Sequence, residues 1–434
     1  MEVEAARKER GKWWLWGRGA SARKYADLEE GPSATNSKRG ASARKYADLE
    51  EGPNATNPQK GSDQEPTKRR CYACGALALL VVVVGVACGF GFGFARLSSG
   101  KGDETAATID GRLNFESVFG SNWIRRDSGD EVTFLVVGDW GRDGLDGQRA
   151  VARGMASLAD ELRPDFVIST GDNFYIGGLA SPSDSQFETS FVDVYNAGSL
   201  QVPWLTVLGN HDYGDSGGCG TADLNDDACL PASKRSSRSP LHQLEPSLRE
   251  RDWRWFCDRY YTYAPSKDVE LFFLDTNPFI KEYYNYSWAH DIPGGLSAQN
   301  AEGQKKFLER ALESSEAAYK IVVGHHPFFS NGYRGGETDL QDALGPLLER
   351  NNVSMYLNGH DHDMQHVVGK SATTQFFTSG AGSRTGRGFT VGENSMFESD
   401  EPGFLSARVH PENGARLSFH DAQGDVIYTW SSAG

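Results

Sequence analysis

The hydrophobic pattern becomes regular only from residue 131 onward. Residues 131–137 (EVTFLVV) form a short apolar run of the kind that a strand buried on both faces requires. Val151, Met155, Leu158 and Leu162 follow at helical spacing, then come an apolar run at 165–170, a helical pattern about 187–195 and a third strand at 202–208. Further strands are expected at 271–274, 321–323, 353–357 and 375–378, and helices at 298–313 and 339–349. Strands that alternate with helices predict parallel βαβ units, whose ligands gather at the C-terminal ends of the strands. The stretch 214–253 is rich in Gly, Ser, Asp and Arg and reads as a long surface excursion.

Upstream of this pattern the chain changes character. Residues 1–70 are polar, show no apolar periodicity and read as a disordered tail. Within them 20–36 (ASARKYADLEEGPSATN) recurs almost unchanged at 41–57, too few copies for a solenoid. Tyr25 with Leu28, and Tyr46 with Leu49, resemble tyrosine-based sorting signals read by a cytosolic adaptor. Residues 71–95 carry no charge and are long enough to cross a bilayer as a signal anchor. Lys68, Arg69 and Arg70 abut the near end of that segment, against the sparser Arg96 and Lys101 beyond it. The expectation is a single-pass type II membrane protein: a cytosolic tail, a transmembrane helix, a tether at 96–130, and a lumenal or extracellular domain at 131–434.

Composition narrows the chemistry. At 434 residues the formal net charge is -15, which argues against a nucleic-acid surface. An acidic chain does not steer phosphorylated anions, so any anion site must carry its own positive charge, most simply as bound metal. Cys71, Cys74 and Cys88 lie in the apolar stretch, and none of the six cysteines forms the double pair of a structural zinc site. Cys219 and Cys229 can close a small loop in an oxidising compartment, with Cys257 left over. Residues 214–218 (GDSGG) match the surroundings of a serine-protease nucleophile, yet such enzymes need a His and then an Asp well upstream. His211 is the only histidine before Ser216, so that reading fails.

The chemistry concentrates at five strand ends. Each is followed at once by a Gly and a potential metal ligand: Gly138-Asp139, Gly171-Asp172, Gly209-Asn210-His211-Asp212, Gly324-His325-His326 and Gly359-His360-Asp361-His362. A carboxylate such as Asp172 can give one oxygen to each of two cations, and Tyr175, three residues later, can return to the same cluster as a phenolate. Hard oxygen donors of this kind suit Fe(III).

The ordered set Asp139-x-Gly141, GDNFY from Gly171, GNHD from Gly209, GHHP from Gly324 and GHDH from Gly359 resembles the metallophosphoesterase superfamily. Its tyrosine narrows the likeness to the purple acid phosphatases of the small, tartrate-resistant type, over residues 131 to the C-terminus. The resemblance implies an α/β fold, a four-layer α/β/β/α sandwich. It also implies a ferric site of Asp139, Tyr175 and His362, a divalent site of Asn210, His325 and His360 taking Fe(II), Zn or Mn, and Asp172 as the bridge. The implied activity is acid hydrolysis of phosphate monoesters by a metal-bound hydroxide. His211, Asp212 and His326 are the candidate catalytic side chains, His211 to bind phosphate and protonate the leaving oxygen and Asp212 to orient its neighbours.

His326 departs from the family, which usually places an aromatic residue there, and residues 330–336 lack a histidine that some relatives carry. Tyr333 or Arg334 is the expected substitute as a phosphate contact. Two rivals stay open: a phosphodiesterase or pyrophosphatase on the same scaffold, and a non-catalytic membrane-tethered binding protein of this fold. Asn285 and Asn352 begin glycosylation sequons on the expected lumenal side, whereas Asn54 lies in the tail and is expected to stay unmodified.

Overall fold

The computed structural model of the protein describes residues 108–109, 111–120, 129–214, 237–369, 373–390, 392 and 394–432. In chain order the first elements are β1 (Thr108–Ile109), β2 (Arg112–Leu113), α1 (Phe115–Phe119), β3 (Val132–Val137), α2 (Gln148–Leu162), β4 (Phe166–Ser169) and β5 (Trp204–Thr206). Next come α3 (Leu241–Leu244), α4 (Pro246–Arg251), β6 (Trp255–Cys257), β7 (Tyr260–Tyr263), β8 (Val269–Leu274), α5 (Ala301–Ser314), β9 (Tyr319–Val323), α6 (Thr338–Arg350) and β10 (Met355–Asn358). The chain closes with β11 (Met364–Val368), β12 (Gln375–Ser379), β13 (Ser395–Ser399), β14 (Gly403–His410), β15 (Gly414–Asp421) and β16 (Val426–Ser431).

Two mixed sheets result. One has nine strands in the order β1-β2-β7-β8-β9-β10-β12-β11-β13, the other seven in the order β16-β15-β14-β3-β4-β5-β6. The side-chain period of two then divides each central strand between two cores. Phe134 and Val136 of β3, Ile168 of β4, Leu271 and Phe273 of β8, and Met355 and Leu357 of β10 meet between the sheets. Their alternates Leu135, Val137 and Val167 face Val151, Met155 and Ala159 of α2 on the outside of the seven-stranded sheet. Phe272, Val322 and Tyr356 face Leu308 and Leu312 of α5 and Leu340, Leu344 and Leu347 of α6 on the outside of the other. The layers therefore run helix, sheet, sheet, helix, and strands covered on both faces are buried along their length and mostly apolar.

The parallel pairings set the strand ends level. Val137 of β3 pairs with Ser169 of β4, Ser169 with Thr206 of β5, and Val323 of β9 with Leu357 of β10. The loops that leave these ends are the five Gly-led motifs, so register gathers three of them at one edge of the seven-stranded sheet and two at one edge of the other.

Several expectations change. The helical pattern about 187–195 is realised as a π-helix at Glu188–Val192, where the Ser190 carbonyl accepts the Gln148 side-chain amide at 2.7 Å and the Asp193 amide reaches Glu188 at 2.9 Å. The expected surface excursion dips inward: Gln243 of α3 is buried and reaches the Asp212 carboxylate at 2.7 Å. Within the segment read as a tether, β2 pairs with β7, and Leu113 and Phe119 join the core between the sheets.

The membrane placement is corrected. Among the described residues no helix is long and apolar enough to cross a bilayer, so a single-pass membrane protein is not supported. Residues 71–95, the tail with Tyr25 and Tyr46, Asn54, Cys219 and Cys229 lie outside the described residues. Cys257 is buried and free, while Asn285 and Asn352 are exposed.

Candidate metal centre and active site

All seven residues of the two expected ligand sets meet at the strand-end edge. Asp139 follows β3, Asp172 and Tyr175 follow β4, Asn210 follows β5, His325 follows β9, and His360 and His362 follow β10. Asp139, Asp172 and His360 adopt left-handed backbone with φ of 60°, 51° and 72°, conformations that cost a non-Gly residue about 1–3 kcal/mol each and persist where function over-determines them. Packing is close enough to demand Gly359: a Cβ there would lie 2.3 Å from Oδ2 of Asp139. That same oxygen accepts the His360 amide at 3.0 Å, tying the β3 loop of one sheet to the β10 loop of the other.

The donors divide into two groups. In the first, the Tyr175 hydroxyl lies 3.1 Å from Oδ1 of Asp139, 2.9 Å from Oδ2 of Asp172 and 2.9 Å from Nε2 of His362. In the second, Oδ1 of Asn210 lies 3.1 Å from Nε2 of His325 and 3.0 Å from Nδ1 of His360, and the two ring nitrogens are 3.1 Å apart. Asp172 belongs to both. Its Oδ2 faces Tyr175, and its Oδ1 is 3.5 Å from Nε2 of His325.

The chemistry of these donors fits metal ions. Nδ1 of His325 donates to the Thr170 carbonyl at 2.9 Å, which leaves Nε2 as a bare lone pair aimed at Asn210 and His360. Nδ1 of His360 faces the same point, and in the tautomer that leaves it bare three lone pairs converge at hydrogen-bond distance, as a shared cation would require. Nδ1 of His362 and Nδ1 of His211 are buried without a hydrogen-bond partner among the described residues. The electrostatics agree. Burial, and then the charge of Asp172, raises the Asp139 carboxyl well above its ordinary value, while burial followed by the neighbouring Asp139 and Asp172 raises the Tyr175 phenol. Burial likewise lowers His360 and His362 well below theirs and takes His325 down to about 4. Asp139, Asp172 and His362 can hold one ion, and His325 and His360 with His326 within reach can hold another.

Residues 132–364 match the calcineurin-like phosphoesterase family. The chain is 41% identical over 310 residues to purple acid phosphatase 17 of Arabidopsis thaliana, a match that covers 69% of this chain and 83% of that one. The chain belongs to the purple acid phosphatases. Tartrate-resistant acid phosphatase type 5 of Oryctolagus cuniculus is 31% identical over 264 residues, 58% of this chain and 73% of that one. Among solved structures, GAP50, the anchor in the inner membrane complex of Plasmodium, superposes with a TM-score of 0.54 at 25% identity, over 69% of this chain and 88% of that one.

Within this phosphatase fold, three arginines that the composition hid stand around the two donor groups. The charges of Arg334, Arg142 and Arg387 each help to lower His211 and His362, after burial itself. Arg142 lies over the Tyr175 ring, its guanidinium carbon 3.6 Å from the centroid. Arg387 stands 5.9 Å over the ring of the exposed Tyr333. Tyr333 and Arg334, the alternative phosphate contacts expected from the sequence, share a loop anchored by Asp361, which accepts the Arg334 amide at 2.8 Å and the Ser330 hydroxyl. Arg142 had a signal in the sequence, being a cation three residues after Asp139 in the same strand-end loop. Arg387 sits in a Gly- and Arg-rich stretch with no marked spacing.

The three expected catalytic residues separate. His211 stays at the site: its ring is 4.5 Å from that of Tyr175, and its Nε2 is 3.9 Å from Oδ2 of Asp172. Asp212 faces the other way. Its carboxylate accepts the amides of Asn173 at 3.0 Å, Phe174 at 3.2 Å and Gly209 at 2.8 Å, and the side chain of Gln243 at 2.7 Å. His326 has both ring nitrogens occupied. The Thr276 hydroxyl accepts the backbone amides of His325 and His326 and so donates its own proton to Nδ1 at 2.7 Å, which leaves Nε2–H to donate to Tyr283 at 2.7 Å.

Proposed function

We infer that the protein is a binuclear metal-dependent acid phosphatase that hydrolyses phosphate monoesters. The observation that carries this reading is the split of Asp172, one oxygen 2.9 Å from the Tyr175 hydroxyl of the first donor group and the other 3.5 Å from Nε2 of His325 in the second, as a bridge between two ions needs. Asp139, Tyr175 and His362 would hold Fe(III), whose hardness suits carboxylate and phenolate oxygens, and Asn210, His325 and His360 would hold Fe(II), Zn or Mn. Such a pair, when bound, neutralises phosphoryl charge and makes water acidic enough to attack at low pH.

The chain's own residues do the rest. Arg334 and Arg387 draw the phosphate dianion to the edge of the site. His211 donates a hydrogen bond to a phosphoryl oxygen and stabilises the leaving oxygen, its ring steered by Tyr175 beside it. Asp212 is a positioning residue that binds the loops after β4 and β5 to each other. His326 acts on its neighbour His360, whose ring lies 4.6 Å away, and is held in one tautomer by Thr276 and Tyr283.

The test is metal analysis of the purified protein together with hydrolysis of an aryl phosphate monoester and the matching diester at acid pH. Two metals per chain, monoester turnover and a tyrosinate-to-Fe(III) absorption band support the reading, whereas diester preference would move the assignment to a phosphodiesterase. The likeness to the Plasmodium anchor protein favours a second reading, a scaffold that binds partners without turnover. Absence of hydrolysis with both metals bound would select it.

A further inference from the structure

Arg142 is fixed more firmly than a surface arginine. It is buried, its Nε donates to the Ser383 hydroxyl at 3.1 Å, and that hydroxyl donates in turn to the Asp139 carbonyl. Its own amide donates to Oε1 of Gln148 at 3.1 Å, and the same oxygen takes the Gly144 amide at 2.8 Å, which closes the loop after β3 on itself. The Tyr175 loop is fastened to this one, since the Tyr175 amide donates to the Gly141 carbonyl at 2.8 Å. Only glycine fits at 141, where a Cβ would stand 1.8 Å from the Asn173 carbonyl oxygen. Two loops from adjacent strands thus lock a guanidinium over a phenol ring at 3.6 Å from its centroid.

We propose that Arg142 is a positioning residue for the Tyr175 ligand, holding the ring in place and withdrawing electron density from it through the stacked guanidinium. The proposal rests on the reading of Tyr175 as a metal ligand. A cation over an aromatic face attracts the π electrons, and it attracts those of a phenolate more strongly. The electron that moves in a tyrosinate-to-Fe(III) transition leaves this ring, so a positive charge above the donor raises the energy of the transition. The effect is of the outer-shell kind, in which a residue that touches no metal tunes the ligand that does.

The experiment uses the full chain loaded with Fe(III) and a divalent ion, as wild type, Arg142→Met and Arg142→Lys. Arg142→Met removes the charge and is expected to move the visible band to longer wavelength by an amount on the order of tens of nanometres, with two metals per chain retained. Arg142→Lys keeps the charge but loses the planar stack and the fork to Ser383, and is expected to fall between the two. If Arg142→Met does not fold, the Lys variant alone carries the test through its band position. A band that stays in place at full metal content overturns the proposal. So does a rise in KM for the monoester with no spectral change, which would make Arg142 a substrate contact. A wild-type protein that binds both metals and shows no such band overturns the assignment of Tyr175 first, and the role of Arg142 with it.

Discussion

Replacing Asp212 separates a structural hub from a catalytic group. Its two oxygens collect the amides of Asn173, Phe174 and Gly209 and the Gln243 side chain, all buried. Asp212→Ala leaves these donors without their acceptor, at about 1–3 kcal/mol for each unsatisfied group. The donors share one cavity and relax together, so the total expected is about 3–5 kcal/mol rather than the full sum. For a domain of this size that lowers Tm by roughly 10 °C. Asp212→Asn keeps one accepting oxygen and turns an NH2 toward amide donors, at about 1–3 kcal/mol. Because the two loops it joins carry Asp172, Tyr175 and Asn210, metal affinity is expected to fall about 10–100-fold, while turnover per bound metal pair changes little. Calorimetry, metal analysis under limiting metal and kcat at saturating metal read the three quantities. Unchanged Tm and metal content with lost kcat would refute this reasoning and return Asp212 to the chemistry.

Asp172→Asn is expected to abolish binding of both ions and hydrolysis together, read by metal analysis, whereas Tyr175→Phe should keep the fold and lose the visible band. His211→Gln should lower kcat by about 10²-fold or more with both metals retained, so that metal loss in this variant would place His211 among the ligands instead. Glu337 lies at the start of α6, and burial, followed by the charges of Asp339 and Glu282, raises its carboxyl to about 7. A carboxyl raised above its unfolded value lets the folded state bind the extra proton, so the stability it contributes is present below about pH 4.5 and is lost as pH climbs toward 7. Glu337→Gln should therefore leave the thermal midpoint near pH 4 unchanged and stabilise the protein at pH 8 by about 1–2 kcal/mol, once its partial solvent exposure is discounted. A uniform shift at both pH values would refute that assignment.

The central strands could be read from the sequence because burial on both faces leaves few polar positions to interrupt the pattern. Residues 131–137 and 321–323 are apolar runs for that reason, and β3 and β9 stand where the runs lie. The C-terminal strands follow the other rule. In β14, Leu405, Ala407 and Val409 point into the core while Ser406 and Arg408 interrupt them, so no continuous run marks the strand, and its place beside β3 is a pairing across more than two hundred residues. The candidate ligands were legible because each lies within a few residues of a strand end, where local order and Gly spacing suffice. Gln243, Thr276 and Tyr283 were not. Each acts through contacts with residues distant in sequence, and a lone Gln, Thr or Tyr carries no sign of its partners.

Charge completes the connection between fold and chemistry. The chain carries a net charge of -15, so a phosphate site must carry its own positive charge, most simply as metal. Arg142, Arg334 and Arg387 add fixed positive charge at the site, and its effect extends beyond the substrate. An enzyme active in acid must keep its imidazoles unprotonated, because a ring that binds a proton cannot bind a metal. Burial does most of this at His360 and His362, and Arg334 pushes both in the same direction, joined at His362 by Arg142 and Arg387. The same charges oppose the rise at Asp139 and Tyr175, where Arg387 favours both anions and Arg142 favours the phenolate. A cation outside the ligand set thus moves both kinds of donor toward the protonation state that metal requires, and it does so before any phosphate arrives.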